Sequence, residues 1–343
     1  MNRKSSLAGA VLLSSFLMAS HVHAFSIFTC NGNPVVWGSP FQMVQNTLSI
    51  PFGSTPESSL DNAIGRWNGV QGMVNMVSKA PFVTTGSSLS IGDGQNDVAT
   101  TGRAKLGGNS GITFMIHNLC VFSSSWIEAD VAVANDLTFG RVDEDSITAT
   151  SGRSTFLHEL GHAHGLGHVQ GFNNMRASQP RPLVGGPNET IDVLPDDARG
   201  GRFLYPTGNG EVNLFASAQR RTSKDKIVLN NSGTITVCSK GGDTITLFST
   251  AGNNGTITAT QTERWWVSTS NQAHNGGTTI FQLGGSTVPA NTVITRQVTF
   301  QMPALPVGTF FVFHGVDVFH EVQESREEDN NVREGLTINV TDC

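Results

Sequence analysis

Between Ser59 and Val77 the apolar residues Leu60, Ile64, Trp67, Val70, Met73, Val74 and Val77 fall at steps of three and four. Those steps gather them on one helical face, so the spacing predicts a helix over 59–77 with Ser58 or Ser59 as its cap. Upstream, 35–52 reads as one or two strands broken by Gly38 and Pro40, and further strands are expected near 82–91 and 112–116. Segment 126–134 alternates well: Trp126, Glu128, Asp130, Ala132 and Ala134 face one way, and Ile127, Ala129, Val131 and Val133 the other. A second helix is expected over about 154–164 and a short third one over 195–204, with Pro195 in its first turn.

After Pro206-Thr207-Gly208 the texture changes to short Thr/Val/Ile strands separated by Gly, Asn and Ser, from ITVCS to LTINVT. Turns at that rhythm predict a β-sandwich, with a domain boundary near 208–222. Trp265-Trp266 is a candidate binding patch. Neighbouring strand residues face opposite sides, however, so at least one of the two rings is expected in the core.

Composition bounds these elements. The chain has 343 residues, of which 38% are hydrophobic and 14% charged, with 38 glycines and 20 phenylalanines. That is material for about two folded, turn-rich domains. A net charge of −6 excludes the basic face of a generic nucleic-acid binder. Arg3 and Lys4, an apolar run from Leu7 to Met18, and Val22-His23-Ala24 form the parts of a secretory signal over residues 1–24, with cleavage after Ala24. No later run is long enough to span a bilayer, so a secreted product is expected, extracellular or periplasmic. Cysteines 30, 120, 238 and 343 allow three pairings, and one bridge per domain (Cys30–Cys120, Cys238–Cys343) is the simplest.

Four of the ten histidines lie in HELGHAHGLGH, residues 158–168. His158 and His162 are four apart and share a helix face, with Glu159 beside them; Gly165 lets the chain turn so that His168 returns as a third ligand. Three neutral imidazoles suit a zinc ion and leave its fourth position to water, the pattern of a catalytic site. His164, two residues past His162, sits about 200° around the helix and reads as a surface or supporting imidazole.

His158-Glu159-x-x-His162-x-x-Gly165-x-x-His168 followed by Met175 resembles the metzincin metallopeptidases, most closely their matrixin branch. Trp67, Glu128-Ala129-Asp130, Pro195-Asp196-Asp197 and Leu204-Tyr205 extend the resemblance over most of 35–207. It implies an α+β fold: a metzincin-type catalytic domain over 25–210, a twisted mixed sheet with an active-site helix, followed by an all-β Ig-like sandwich over 222–343. It also implies a secreted zinc endopeptidase with one catalytic zinc on His158, His162 and His168, Glu159 as general base and acid, Met175 beneath the metal, and protein or peptide substrates. The substrate is expected along strand 126–134, with Pro182-Leu183-Val184 as pocket wall. Departures are Val169 after the third histidine, Ala177 where some metzincins carry a tyrosine, and the lone His117, which leaves a second zinc without ligands.

Weaker signals remain. Gly92-Asp93-Gly94-Gln95-Asn96-Asp97 has the oxygen-rich look of a Ca2+ loop but lacks EF-hand spacing, and an Asx-type turn is the favoured reading. Cys30 is open between a disulfide to Cys120 and a latency switch on the zinc. Val316-Asp317-Val318 with Glu324-Ser325 and Asn330-Asn331 resembles bacterial cell-adhesion-related Ig-like domains, which implies a cell-surface or matrix ligand. The alternative function is a surface-binding or adhesion protein with a vestigial peptidase domain.

Overall fold

The computed structural model describes residues 25–70, 72–85, 89–118, 125–139, 151–177, 182, 192–208, 210–272, 276–324 and 330–343. The leader over 1–24, Cys120, Leu183-Val184 and Ser325 lie outside the described residues. Among the described residues strand dominates, and the chain is mostly β.

The first helix, α1 (Thr55–Asn68), begins at Ser54, whose Oγ accepts the Glu57 amide at 3.3 Å, and Pro56 presets its first turn. It ends at Asn68, well short of the expected Val77. There the Asn68 side chain donates to the Val77 carbonyl at 2.6 Å, and Gly72 turns the chain at φ +71, so the apolar steps beyond Trp67 belong to a loop and a strand. That strand joins a five-stranded sheet made of β1 (Phe41–Asn46), β2 (Val77–Thr84), β3 (Asn96–Thr101), β4 (Gly111–His117) and β5 (Trp126–Ala134), in the order β2-β1-β3-β5-β4. All neighbours run parallel except β4, which lies antiparallel on β5 and forms the sheet edge. The expectation that a substrate lies along 126–134 is therefore corrected: β5 is hydrogen-bonded on both sides, and the edge strand beside it is β4.

Helix α2 (Gly152–Ala163) starts at Ser151, whose Oγ accepts the Ser154 amide at 3.2 Å. Phe156 and Leu160 of α2, Leu60 and Trp67 of α1, and Val131 and Val133 of β5 join one buried cluster. Each such side chain contributes about 1.5–3 kcal/mol on burial. Glu128 and Asp130 are also buried, and they organise a loop: Glu128 accepts from the Gly92 and Gly94 amides, and Asp130 accepts from the Asp97 amide at 2.8 Å. In the same loop the Asp93 carboxylate accepts from the Gln95 amide at 2.8 Å, an Asx turn. Helix α3 (Pro195–Leu204) has the bounds its sequence predicts.

The second half begins with β6 (Leu214–Ser217) and the hairpin β7 (Gln219–Arg221) and β8 (Ile227–Leu229). It continues through β9 (Ser232–Cys238), β10 (Thr244–Asn253), β11 (Ala259–Ser268), β12 (Thr278–Val288), β13 (Thr292–Gln301), β14 (Gly308–Gly315) and β15 (Asn331–Thr341). These make a three-stranded sheet, β6-β10-β13, and a five-stranded one, β9-β15-β14-β11-β12. Leu247 and Val298 of the first sheet meet Trp265, Val312 and Ile338 of the second in one cluster, the cross-section of a sandwich.

Both Trp265 and Trp266 are fully buried, so the candidate patch is core on each side of β11: Trp266 stacks on Phe313 with centroids 5.7 Å apart, beneath the Arg264 guanidinium. Glu263 ties the sheets together by accepting from Ser249 of β10 and His314 of β14, each at 3.3 Å, and from Ser286 and Arg296. The acidic residues of the adhesion-like motif are used internally as well. Asp317 accepts from the Glu321 amide at 2.8 Å, and Glu324 accepts from the Leu214 amide and from Asn330.

Cys238 and Cys343 form a disulfide with Cα atoms 5.7 Å apart. Cys30 is disulfide-bonded too, which removes the thiol a latency switch would need. Phe172 and Leu194 pack with Phe215 and Ile227, joining the two halves through an apolar cluster. Among the described residues no helix is long and apolar enough to cross a membrane.

Candidate metal centre

His158 and His162 project from the same face of α2, one turn apart. Gly165, at φ +103, turns the chain beside the Trp126 ring and the Val35 carbonyl, where a β-carbon would be crowded, and the returning segment carries His168. The three Nε2 atoms then lie 3.1 Å from one another. His158 is buried, His162 half-buried and His168 exposed, so the group runs from the protein floor to solvent.

The opposite ring nitrogens explain the orientation. His158 Nδ1 donates to the Asn174 carbonyl at 2.6 Å, and His162 Nδ1 donates to the Leu166 carbonyl at 2.7 Å. A carbonyl only accepts, so these protons sit on Nδ1 and both Nε2 atoms present lone pairs inward. Two lone pairs aimed at one point repel unless a proton or a cation lies between them. The corners of such a triangle lie about 1.8 Å from its centre, inside the reach of a Zn–N bond of about 2.0–2.1 Å. The donor set thus fits a divalent ion that favours imidazole.

Glu159 is 4% exposed and sits beside this triangle. Thr113 of β4 donates its hydroxyl to Glu159 Oε2 at 2.8 Å, and Gly111 leaves free the space its own β-carbon would take from the Glu159 carboxylate. The edge strand therefore positions the acid. A cleft of about 690 Å³ opens here, walled by Phe28, Ser110, Ile112, Glu159, His162 and His168. Of the expected pocket wall, Pro182 is buried, and Leu183-Val184 lie outside the described residues.

Met175 is buried with its sulfur in the notch left by Gly161, between the two helical histidines. Its turn hangs on Asp197 of α3, which accepts the Asn174 amide at 2.7 Å, the Met175 amide at 3.1 Å and the Leu194 amide at 3.3 Å. Burial raises the Asp197 carboxyl to about 7, against those hydrogen bonds. His164 is fully buried, not on the surface: it stacks on Trp67 at 4.8 Å, donates to the Leu160 carbonyl at 2.6 Å, and burial lowers its pKa to about 4. Tyr205 donates to the His164 carbonyl at 2.6 Å. Gly111, Thr113 and Asn174 were not singled out by the sequence, and Asp197 stood there only as part of the Pro195-Asp196-Asp197 start of a short helix, not as the support of the Met175 turn.

No protein-family model matches the chain, and no curated protein matches it. Among solved structures it is similar to the CARDB domain of a Pyrococcus furiosus protein, at 13% identity over 39% of this chain and 98% of that one, with a TM-score of 0.27. A crystal structure of that CARDB domain with di-metal ions gives 16% identity over 39% and 97%, with a TM-score of 0.26. A lytic polysaccharide monooxygenase of Jonesia denitrificans gives 17% identity over 32% and 58%, with a TM-score of 0.18. At TM-scores this low the likenesses assign neither family nor activity.

Proposed function

We propose that this protein is a secreted, zinc-dependent endopeptidase of matrixin-like type. In this reading a catalytic domain over 25–210 precedes an Ig-like accessory sandwich, and the leader over 1–24 directs export. The observation that carries the reading is the convergence of the His158, His162 and His168 Nε2 atoms, two of them with lone pairs turned inward, and the carboxylate of Glu159 alongside. A closed structural site would need neither the acid nor an approach from solvent.

His158, His162 and His168 would hold the zinc, which when bound would supply Lewis acidity and an activated water. Glu159 would serve as general base and then general acid beside the ion, its carboxylate held by the Thr113 hydroxyl. The Asn174 and Leu166 carbonyls keep two ligand rings in the productive tautomer. An extended peptide adds to the outer edge of β4, which among the described residues carries no neighbouring strand, so Gly111 to Thr113 offer backbone partners next to Glu159.

The test is cleavage of casein or denatured gelatin by the purified chain, with and without a zinc chelator, beside Glu159→Gln. The expected result is chelator-sensitive cleavage by the native chain and a fall of at least about 100-fold in the variant, with zinc content unchanged. Cleavage that survives the chelator, or full activity in the zinc-loaded variant, overturns the reading.

A further inference from the structure

The turn that carries Met175 is held from two sides, and one of them is the second half of the chain. Arg176 is 5% exposed and sends its guanidinium to the Gly171 carbonyl and to the Asp225 carbonyl, both at 2.9 Å. Asp225 sits at the tip of the β7–β8 hairpin at φ +56, fixed there by its amide on the Thr222 carbonyl at 3.0 Å and by Arg221 on its carboxylate at 2.6 Å. At the other end of the turn, Phe172 packs against Phe215 and Ile227. Between these anchors the turn supports two of the three histidines: the Asn174 carbonyl accepts from His158, and the Met175 carbonyl accepts the amide of Val169, next to His168, at 3.0 Å.

From these contacts we infer that the sandwich is a working part of the metal centre, with the β7–β8 hairpin bracing the Met175 turn through Arg176 and Phe172 and so setting how firmly His158 and His168 hold the ion. Arg176 is a positioning residue, two links removed from the metal. An arginine buried this deeply fits such a post: its planar fork joins two carbonyls at once, which the single ammonium of lysine does not reproduce. Another polar tie crosses the same junction, from Asn254 to the Val193 carbonyl at 2.7 Å, two residues ahead of α3. The inference rests on the metal reading above, and its test separates the two.

Two full-length variants approach the brace from opposite sides: Arg176→Gln, and a shortened hairpin in which Asn-Gly replaces residues 222–226 and removes the Asp225 carbonyl. Zinc release to a chromogenic chelator is expected to quicken by about tenfold or more in each. The visible spectrum of the cobalt-substituted protein should change with it. Amide exchange at Val169, Asn174 and Met175 should rise, while the sandwich keeps its strand signal. Wild-type release and wild-type exchange in both variants overturn the brace. Should the shortened hairpin lose its sandwich, Arg176→Gln alone decides. A native chain that takes up no zinc overturns the peptidase reading instead, and exchange in the metal-free turn still judges the brace.

Discussion

The His158–His162–His168 triangle and the Glu263 cluster are both groups of ionisable side chains in compact surroundings, and they are built on opposite plans. Around Glu263 the groups point at one another. Burial pushes its carboxyl up, and His314, Ser286 and Arg296 outweigh that and hold it below its ordinary value. In the triangle, His158 and His162 spend their protons outward on backbone carbonyls and turn lone pairs toward a shared point. A buried polar cluster that closes on itself holds a fold together; one that points past itself is made to hold something else.

Substitutions on each side sharpen that contrast. The largest effect belongs to His162→Ala, which should abolish stoichiometric zinc and lower hydrolysis by about 10³-fold or more, leaving the melting of the metal-free chain nearly unmoved; metal analysis with a melting curve reads both. Glu263→Ala should do the reverse. It leaves the buried His314 without its carboxylate and Arg296 with only the Thr287 carbonyl, and should cost about 3–5 kcal/mol of sandwich stability in denaturant unfolding, with metal content intact. Gly161→Ala tests the notch under the metal: the added methyl meets the Met175 sulfur and should cost about 1–3 kcal/mol with faster zinc release.

The most gradual effect, spread over several pH units, concerns Asp130, whose carboxyl is raised to about 8, first by burial and then by Glu128 and Asp97. An unfolded Asp ionises near pH 4, about where its reference pKa lies, so between about pH 4 and pH 8 the folded chain carries the extra proton. Its contribution is therefore complete below about pH 4 and fades as pH rises to about 8. Asp130→Asn should flatten that decline in a series of melting temperatures across the window.

How legible these features were depended on how local their causes are. The helix carrying His158 and His162, the turn at Gly165 and the bounds of α3 follow from steps and punctuation within a few residues, and they stand in the sequence. The end of α1 did not, because Asn68 reaches forward to Val77 and an apolar period is blind to a side chain that closes a loop. Strand β3 was missed since Asn96-Asp97 resemble turn residues and only its neighbours β1 and β5 make it a strand. That β4 is the edge depends on pairing order, which alternation does not encode. Arg176 looks like any basic residue until a hairpin from the other half of the chain arrives beside it.

The Cys238–Cys343 bridge has a mechanical consequence. Strand β15 runs parallel to β9, and the disulfide joins the two near the same end of that ladder. Tension entering through Cys343 passes across the bridge into β9, so the two strands are loaded together and β15 is not peeled away one hydrogen bond at a time. Reduction of this single bond would change the geometry of failure from shear to unzipping, a difference that a pulling experiment registers as a lower rupture force even where equilibrium stability changes little.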